Sequence, residues 1–219
     1  MKAIITGANR GIGLALATTL KAKGWEVLAL CRKATPELKA LGVSIEEGVD
    51  VTSENSLQIV ADRHKEEKFD LLINNAGINH RMNLDAINYK AIHELFETNT
   101  LGPIKTALAF LPLLKEGAKI AMISSIAGSI GDIKEGGRYG YRMSKAALNS
   151  FSKTLSIDLK AQKISVIMLH PGHVQTDMTD GGGEYTPTQA AENLVQRIEE
   201  LTLEKTGTFL RATGEPLPF

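Results

Sequence analysis

Six short runs of mostly apolar residues recur along this chain: Ala3–Thr6, Glu26–Cys31, Val43–Val49, Phe69–Asn74, Lys119–Ser124 and Ile164–Leu169. None shows a clean alternation with polar residues. A strand with one wet face alternates, so these runs predict strands buried on both faces, as in a parallel sheet covered by helices. Longer stretches with helical spacing separate them. Ile12–Lys23 ends at Gly24, and Ser53–Glu67 has Thr52 or Ser53 as its cap with Glu54 in the first turn. Tyr139–Lys160 is helical, and Pro187–Leu201 opens on its proline. Leu84–Leu114 contains Pro103, which should end or kink a helix and so predicts two helices there. Thr208–Leu210 reads as a short last strand. Strands alternating with helices predict an α/β protein, a Rossmann-type doubly wound parallel β-sheet forming a single domain over residues 1–219. No repeat or composition shift marks a boundary, and Asp180–Tyr185, with Gly181 to Gly183, reads as a mobile loop.

Charge and composition remove several classes of function. Lys+Arg is 25 and Asp+Glu is 25, with no basic stripe, which argues against a nucleic-acid partner. The single cysteine, Cys31, excludes an internal disulfide and a cysteine-rich zinc site. His170 and His173 lack a third ligand at metal spacing, so no metal site is expected. The start turns glycine-rich too early for a signal peptide, and the longest apolar stretch, near Thr106–Leu114, is interrupted by Pro112. The expectation is a cytoplasmic protein with no membrane partner.

Thr6-Gly7-Ala8-Asn9-Arg10-Gly11-Ile12-Gly13 joins the first strand to the first helix. Glycines let the backbone turn tightly and approach a phosphate, while free amides at the helix start attract it. The spacing is G-x-x-x-G-x-G, and the alternative is an ordinary glycine-rich turn. An NAD site of this type places an acid after the second strand, on the ribose hydroxyl. Here the segment reads Cys31-Arg32-Lys33, with no carboxylate before Glu37, and Arg10 is a second cation close by. A guanidinium can grip a 2′-phosphate bidentately, so the charge pattern predicts NADP(H). The bland reading of Arg32 and Lys33 is a solvated loop start.

Tyr141 and Lys145, four positions apart at the start of a helix, share one face. A nearby ammonium, together with the positive end of a bound nicotinamide, favours tyrosinate and should lower the phenol pKa from about 10. Such a phenol can protonate a carbonyl oxygen while hydride attacks the carbon. The alternative is a surface tyrosine beside a solvated lysine. Ser124 and Ser125 lie past the fifth strand, at the sheet edge where ligands bind; a hydroxyl there can bond a substrate oxygen or simply end the strand. Asn99, in mid-helix before Pro103, can cap or can hold a water or backbone group at a kink.

Taken together, these residues resemble the classical short-chain dehydrogenase/reductase family over essentially the whole chain. Thr6, Gly7, Gly11, Ile12 and Gly13 look like its cofactor turn, and Asn74-Asn75-Ala76-Gly77 matches its NNAG segment. Asp50-Val51 matches its adenine-contacting pair. Pro171-Gly172, Val174 and Thr176 match the segment that holds the nicotinamide carboxamide. Asn99, Ser125, Tyr141 and Lys145 match its catalytic tetrad. The segments Ile123–Ile130 and Gly136–Lys145, together with the ending Gly214–Pro218, are similar to the sniffer-like and C-signal-like carbonyl reductases. His173 and Phe219 depart from that subgroup, which often has tryptophan there.

The resemblance implies an NADPH-dependent reductase of a small-molecule ketone or aldehyde. Ser125 and Tyr141 would bind the carbonyl oxygen, Tyr141 would give the proton, and Lys145 would bind the nicotinamide ribose. Asn99 would hold a water linking Lys145 to solvent. The family habit of pairing helices near Asn99–Leu114 and Tyr139–Lys160 implies a homodimer or homotetramer. Two alternatives stand beside this reading. One is an NADP(H)-binding regulatory or signalling module with incidental activity; the other is a 3-ketoacyl or hydroxysteroid dehydrogenase on the same scaffold.

Overall fold

A computed structural model describes all 219 residues. Seven strands form one sheet: β1 (Lys2–Thr6), β2 (Glu26–Cys31), β3 (Ser44–Glu47), β4 (Phe69–Asn74), β5 (Leu114–Ile123), β6 (Ser165–His170) and β7 (Thr208–Arg211). Their spatial order is β3-β2-β1-β4-β5-β6-β7, and every pairing is parallel. The order reverses between β1 and β4, which opens a crevice at the carboxyl ends of the strands.

The lack of alternation in the strands has the expected cause. Ile4, Leu28, Leu72, Ile120 and Met168 point into one apolar cluster. Their neighbours Ile5, Ala29, Ile73, Ala121 and Ile167 point into a second cluster on the opposite face. Helices α3 (Glu54–Arg63), α5 (Gly102–Phe110) and α6 (Tyr139–Asp158) cover the first face. Helices α1 (Gly11–Ala22) and α7 (Pro187–Glu199) cover the second and pack on each other. No helix is long and apolar enough to cross a membrane.

Three local features differ from the expectations. Thr35-Pro36-Glu37 starts a short helix, α2 (Pro36–Ala40), where Thr35 Oγ1 accepts from Leu38 N at 3.3 Å. Strand β3 is shorter than Val43–Val49, and β5 begins five residues earlier than Lys119. Pro103 does not break the long helical stretch. Helix α4 (Tyr89–Phe96) runs through one π-type turn, Glu97–Leu101, straight into α5, with Pro103 in its first turn. Proline has no N–H to return to the Asn99 carbonyl, and the widened turn absorbs that loss.

Candidate active site

The glycine turn leaves β1 and enters α1 as expected. Gly7 (φ +66°) and Gly11 (φ +53°) take a left-handed backbone that side-chain-bearing residues avoid. At Gly13 a Cβ would collide with the Gly7 carbonyl and lie 2.6 Å from Asn75 Nδ2. Two residues hold this turn against the end of β4. Thr6 Oγ1 accepts from Asn75 N and Ala76 N, both at 3.0 Å. Asn75 Nδ2 donates to Thr6 O at 3.0 Å and Gly7 O at 3.3 Å.

A cleft of about 940 Å³ runs from this turn along the strand ends. Gly7, Asn9, Arg10, Gly11, Ile12 and Gly13 form its floor. Arg32, Asp50 and Val51 line one end, and Asn75, Ala76 and Gly77 line its middle. Tyr141 and Lys145 lie on its wall, as do Pro171 and Thr176 from the loop after β6. Asp50 Oδ1 accepts from Thr52 N and Thr52 Oγ1, which with the Arg32 charge holds its pKa below the usual carboxylate value.

Other expected residues stand behind the wall. Thr6 is buried and acts through Asn75, and Val174 is buried and bridged to Tyr185. Gly172 borders a separate small cavity, at a φ of +90° where a Cβ would meet the Tyr185 ring. These three position the cleft without lining it. Conversely, Lys90, His93, Glu94 and Glu97 of α4 and its π-type turn do line it. Their polar, exposed side chains gave no motif by which to single them out.

The tetrad residues converge. Lys145 is only 5 % exposed, and its Nζ donates to Ile123 O at 2.9 Å and lies 5.9 Å from the Tyr141 ring centre. Burial lowers its pKa from 10.5 to about 8. Burial acts the other way on Tyr141 and raises its pKa, against the opposing pulls of Ser125 and Arg138. The lysine by itself therefore does not make the tyrosine acidic, because burial outweighs the charges around the phenol. Lys145 points toward the end of β5 and desolvation dominates, so Tyr141 is a neutral phenol at pH 7.

The two serines separate clearly. Ser124 Oγ is buried and donates to Asn149 Oδ1 at 2.6 Å, while Asn149 Nδ2 donates to Gly128 O at 3.2 Å. Ser125 Oγ accepts only from Ala127 N, at 3.2 Å, and lies beside the phenol. Gly128 permits the approach of α6: a Cβ there would fall 2.8 Å from the Lys145 backbone. Asn99, in the π-type turn, is wholly buried. Its Oδ1 accepts from Ile78 N at 2.8 Å, and its Nδ2 donates to Ile78 O at 2.9 Å and Ser144 Oγ at 3.1 Å.

A parallel doubly wound sheet, a glycine cradle at its switch point and a half-buried tyrosine beside a buried lysine at the far end of one cleft define a dinucleotide-dependent oxidoreductase. Residues 1–185 match the family model described as short chain dehydrogenase. The chain is 40 % identical to a 1-hydroxy-2-glutathionyl-2-methyl-3-butene dehydrogenase of Rhodococcus sp. (strain AD45), over 96 % of each chain. Among solved structures it is similar to the carbonyl reductase Sniffer of D. melanogaster, with a TM-score of 0.94 and 32 % identity over 100 % of this chain and 99 % of that one. It is also similar to an NADPH-bound carbonyl reductase from chicken fatty liver, with a TM-score of 0.90 and 33 % identity over 100 % and 98 %. The chain belongs to the short-chain dehydrogenase family and is an oxidoreductase.

Proposed function

We propose that this protein is an NADPH-dependent carbonyl reductase that acts on a ketone or aldehyde. One observation carries the reading: a neutral, half-buried Tyr141 phenol sits one helical turn from the buried Lys145 ammonium, at one end of a cleft whose floor is a glycine cradle.

The residues present fit a dinucleotide. The side-chain-free positions 7, 11 and 13 leave the space a pyrophosphate needs beside the α1 amides. Arg32 has no carboxylate partner and is placed for a 2′-phosphate, whereas Arg10 is paired with Asp177. Asp50 and Val51 would flank the adenine. Pro171 and Thr176 would meet the nicotinamide carboxamide, which Gly172 and Val174 set in place. Reduced nicotinamide, when bound, supplies the hydride for the carbonyl carbon.

The chain's own groups do the rest. Ser125 Oγ and the Tyr141 hydroxyl converge on the carbonyl oxygen, and the neutral phenol donates its proton as negative charge develops there. General acid catalysis of this kind is worth ~10²–10⁴ in rate. Lys145 supplies positive charge beneath the phenol and a donor for the nicotinamide ribose. The Asn99 amide is committed to Ile78 and Ser144, so it braces the loop after β4 beside Lys145.

The 40 % identity to a relative named as a dehydrogenase of a hydroxyl compound favours a second reading, the same site run in the oxidative direction. Ser125, Tyr141 and Lys145 would serve either direction. The test is NADPH absorbance followed against a panel of ketones, aldehydes and dicarbonyls, with NADH as control. Turnover with NADPH at least about tenfold above NADH is expected. Cofactor binding without turnover of any carbonyl or alcohol would contradict the reading and favour a regulatory module.

A further inference from the structure

The loop after β6 is tied down at two points, each to a residue distant in sequence. Asp177 pairs with Arg10 of the glycine turn, 167 positions away, and both residues line the cleft. Asp180 accepts from Arg81 of the loop after β4 at 2.8 Å, across 99 positions. One short turn is thereby fastened to the glycine turn on one side and to the loop after β4 on the other.

Of the two partners in the first pair, Asp177 is the fixed one. Thr176 N donates to Thr179 Oγ1 at 3.1 Å, and Thr179 N donates back to Thr176 O at 3.0 Å. Thr179 Oγ1 also donates to Val174 O at 2.7 Å, and Gly181 N closes the turn on Thr176 O at 2.9 Å. The turn lies over the glycine cradle: a Cβ at Gly11 would sit 3.4 Å from Thr176 Cγ2. A carboxylate is therefore held beside the place that receives the phosphates. Arg10 is the movable partner. It precedes α1 with an extended backbone, makes no capping bond, and has Asp177 as the sole partner of its guanidinium.

Arg10 and Arg32 are the two guanidiniums that line the cleft. Their segments are joined, since Thr35 Oγ1 donates to Asn9 O at 2.9 Å. The other acids lining the cleft have partners of their own. Asp50 accepts from Thr52, Glu94 meets His80 at 3.3 Å, and Glu97 meets Lys105 at 3.2 Å. Asp177 is thus the one acid in the cleft that occupies a cation of the arginine pair.

Resting on the NADP(H) reading of the cleft, we propose that Asp177 is a specificity-determining residue that competes with the cofactor's 2′-phosphate for Arg10. Before the cofactor arrives, the carboxylate occupies the guanidinium. A phosphate, with about two negative charges and three acceptor oxygens, takes the guanidinium over. NADH has no 2′-phosphate, so the Arg10–Asp177 pair persists in its complex and only NADPH must break it. Asp177 therefore narrows the preference for NADPH over NADH. The two side chains are 65 and 78 % exposed, so the effect is severalfold and shrinks as salt rises.

The test is calorimetric titration of NADPH, NADH, 2′,5′-ADP and 5′-ADP into wild type, Asp177→Asn, Arg10→Gln and the double variant. Asp177→Asn should bind NADPH and 2′,5′-ADP about two- to fivefold more tightly and raise the NADPH to NADH affinity ratio by the same factor. Arg10→Gln should bind NADPH about tenfold more weakly. Adding Asp177→Asn to it should then change NADPH affinity by less than about 1.5-fold, because the contested group is gone. Weaker or unchanged NADPH binding in Asp177→Asn would overturn the proposal, since the carboxylate would then be positioning Arg10 or be without effect. Equal tightening of NADPH and NADH, or of the two adenosine diphosphates, would overturn it as well, because the contest would be with the pyrophosphate. So would the same gain in the Arg10→Gln background, which would reduce Asp177 to plain repulsion of the cofactor. If wild type binds none of the four nucleotides, the cofactor reading itself fails, and this proposal with it.

Discussion

Asn99 pairs with the backbone of Ile78 through both ends of its amide, accepting from Ile78 N at 2.8 Å and donating to Ile78 O at 2.9 Å. The side chain thus acts as a short strand partner for the loop after β4. It fastens the π-type turn to the segment that carries Gly77, where an added Cβ would lie 3.2 Å from Asn99 Oδ1 and 3.8 Å from Lys145 Nζ.

Asn99→Ala should therefore destabilise the fold by about 1–2 kcal/mol, because it leaves the part-buried N–H and C=O of Ile78 without their partners. The two groups that lose their partner belong to the wall of the cleft, so NADPH-dependent turnover should fall as well. Urea unfolding at pH 7 checks the first effect and steady-state rates the second. Unchanged stability would mean that water replaces the amide without cost.

The two serines should respond oppositely. Ser124→Ala leaves the buried Asn149 Oδ1 without its donor and should cost about 1–3 kcal/mol of stability. Ser125→Ala should cost under about 1 kcal/mol, since only the Ala127 N–H loses a partner, while lowering kcat at least about tenfold. Thermal melts and carbonyl reduction rates on the two variants make the comparison. A larger rate loss in Ser124→Ala would exchange their roles.

Lys145 sets a pH dependence whose sign follows from its lowered pKa of about 8. Between pH 8 and 10.5 the folded protein has released a proton that the unfolded chain still binds. Stability of the wild type relative to Lys145→Met should therefore rise through that window and stay level below it. The ammonium is lost over the same range, so kcat/KM for reduction should fall above about pH 8. Denaturation and rate profiles from pH 6 to 10 read both effects.

Gly13→Ala should abolish cofactor binding and cost more than about 2 kcal/mol, because the new Cβ must displace the Gly7 carbonyl and the Asn75 amide. Gly136→Ala meets no atom within 4 Å and should change stability by less than about 0.5 kcal/mol. Unfolding curves and NADPH fluorescence titration distinguish them.

Much of this architecture was legible in the chain. Doubly buried strands cannot alternate, and neighbours such as Ile4 and Ile5 indeed reach opposite apolar clusters. The glycine turn and the Tyr141–Lys145 spacing are local patterns, and local patterns survive folding. What was not legible depends on contacts distant in sequence. The Asn99–Ile78 pair spans twenty-one positions, and the Ser124–Asn149 bond that frees Ser125 spans twenty-five. The spacing of Tyr141 and Lys145 brought an ammonium near a phenol but carried no information on desolvation, which reverses the direction of the tyrosine's pKa shift. Thr6, Gly172 and Val174 fit the motif yet act from behind the wall, because a motif does not tell a lining residue from the one that supports it.

The central claim is that the Tyr141 phenol delivers the proton. The direct measurement is single-turnover reduction of a carbonyl by NADPH in wild type and Tyr141→Phe, with NADPH affinity determined on the same samples. The account predicts a rate at least about a hundredfold lower in the variant, with the cofactor dissociation constant within about threefold of wild type. A rate near that of wild type with intact NADPH binding would contradict it.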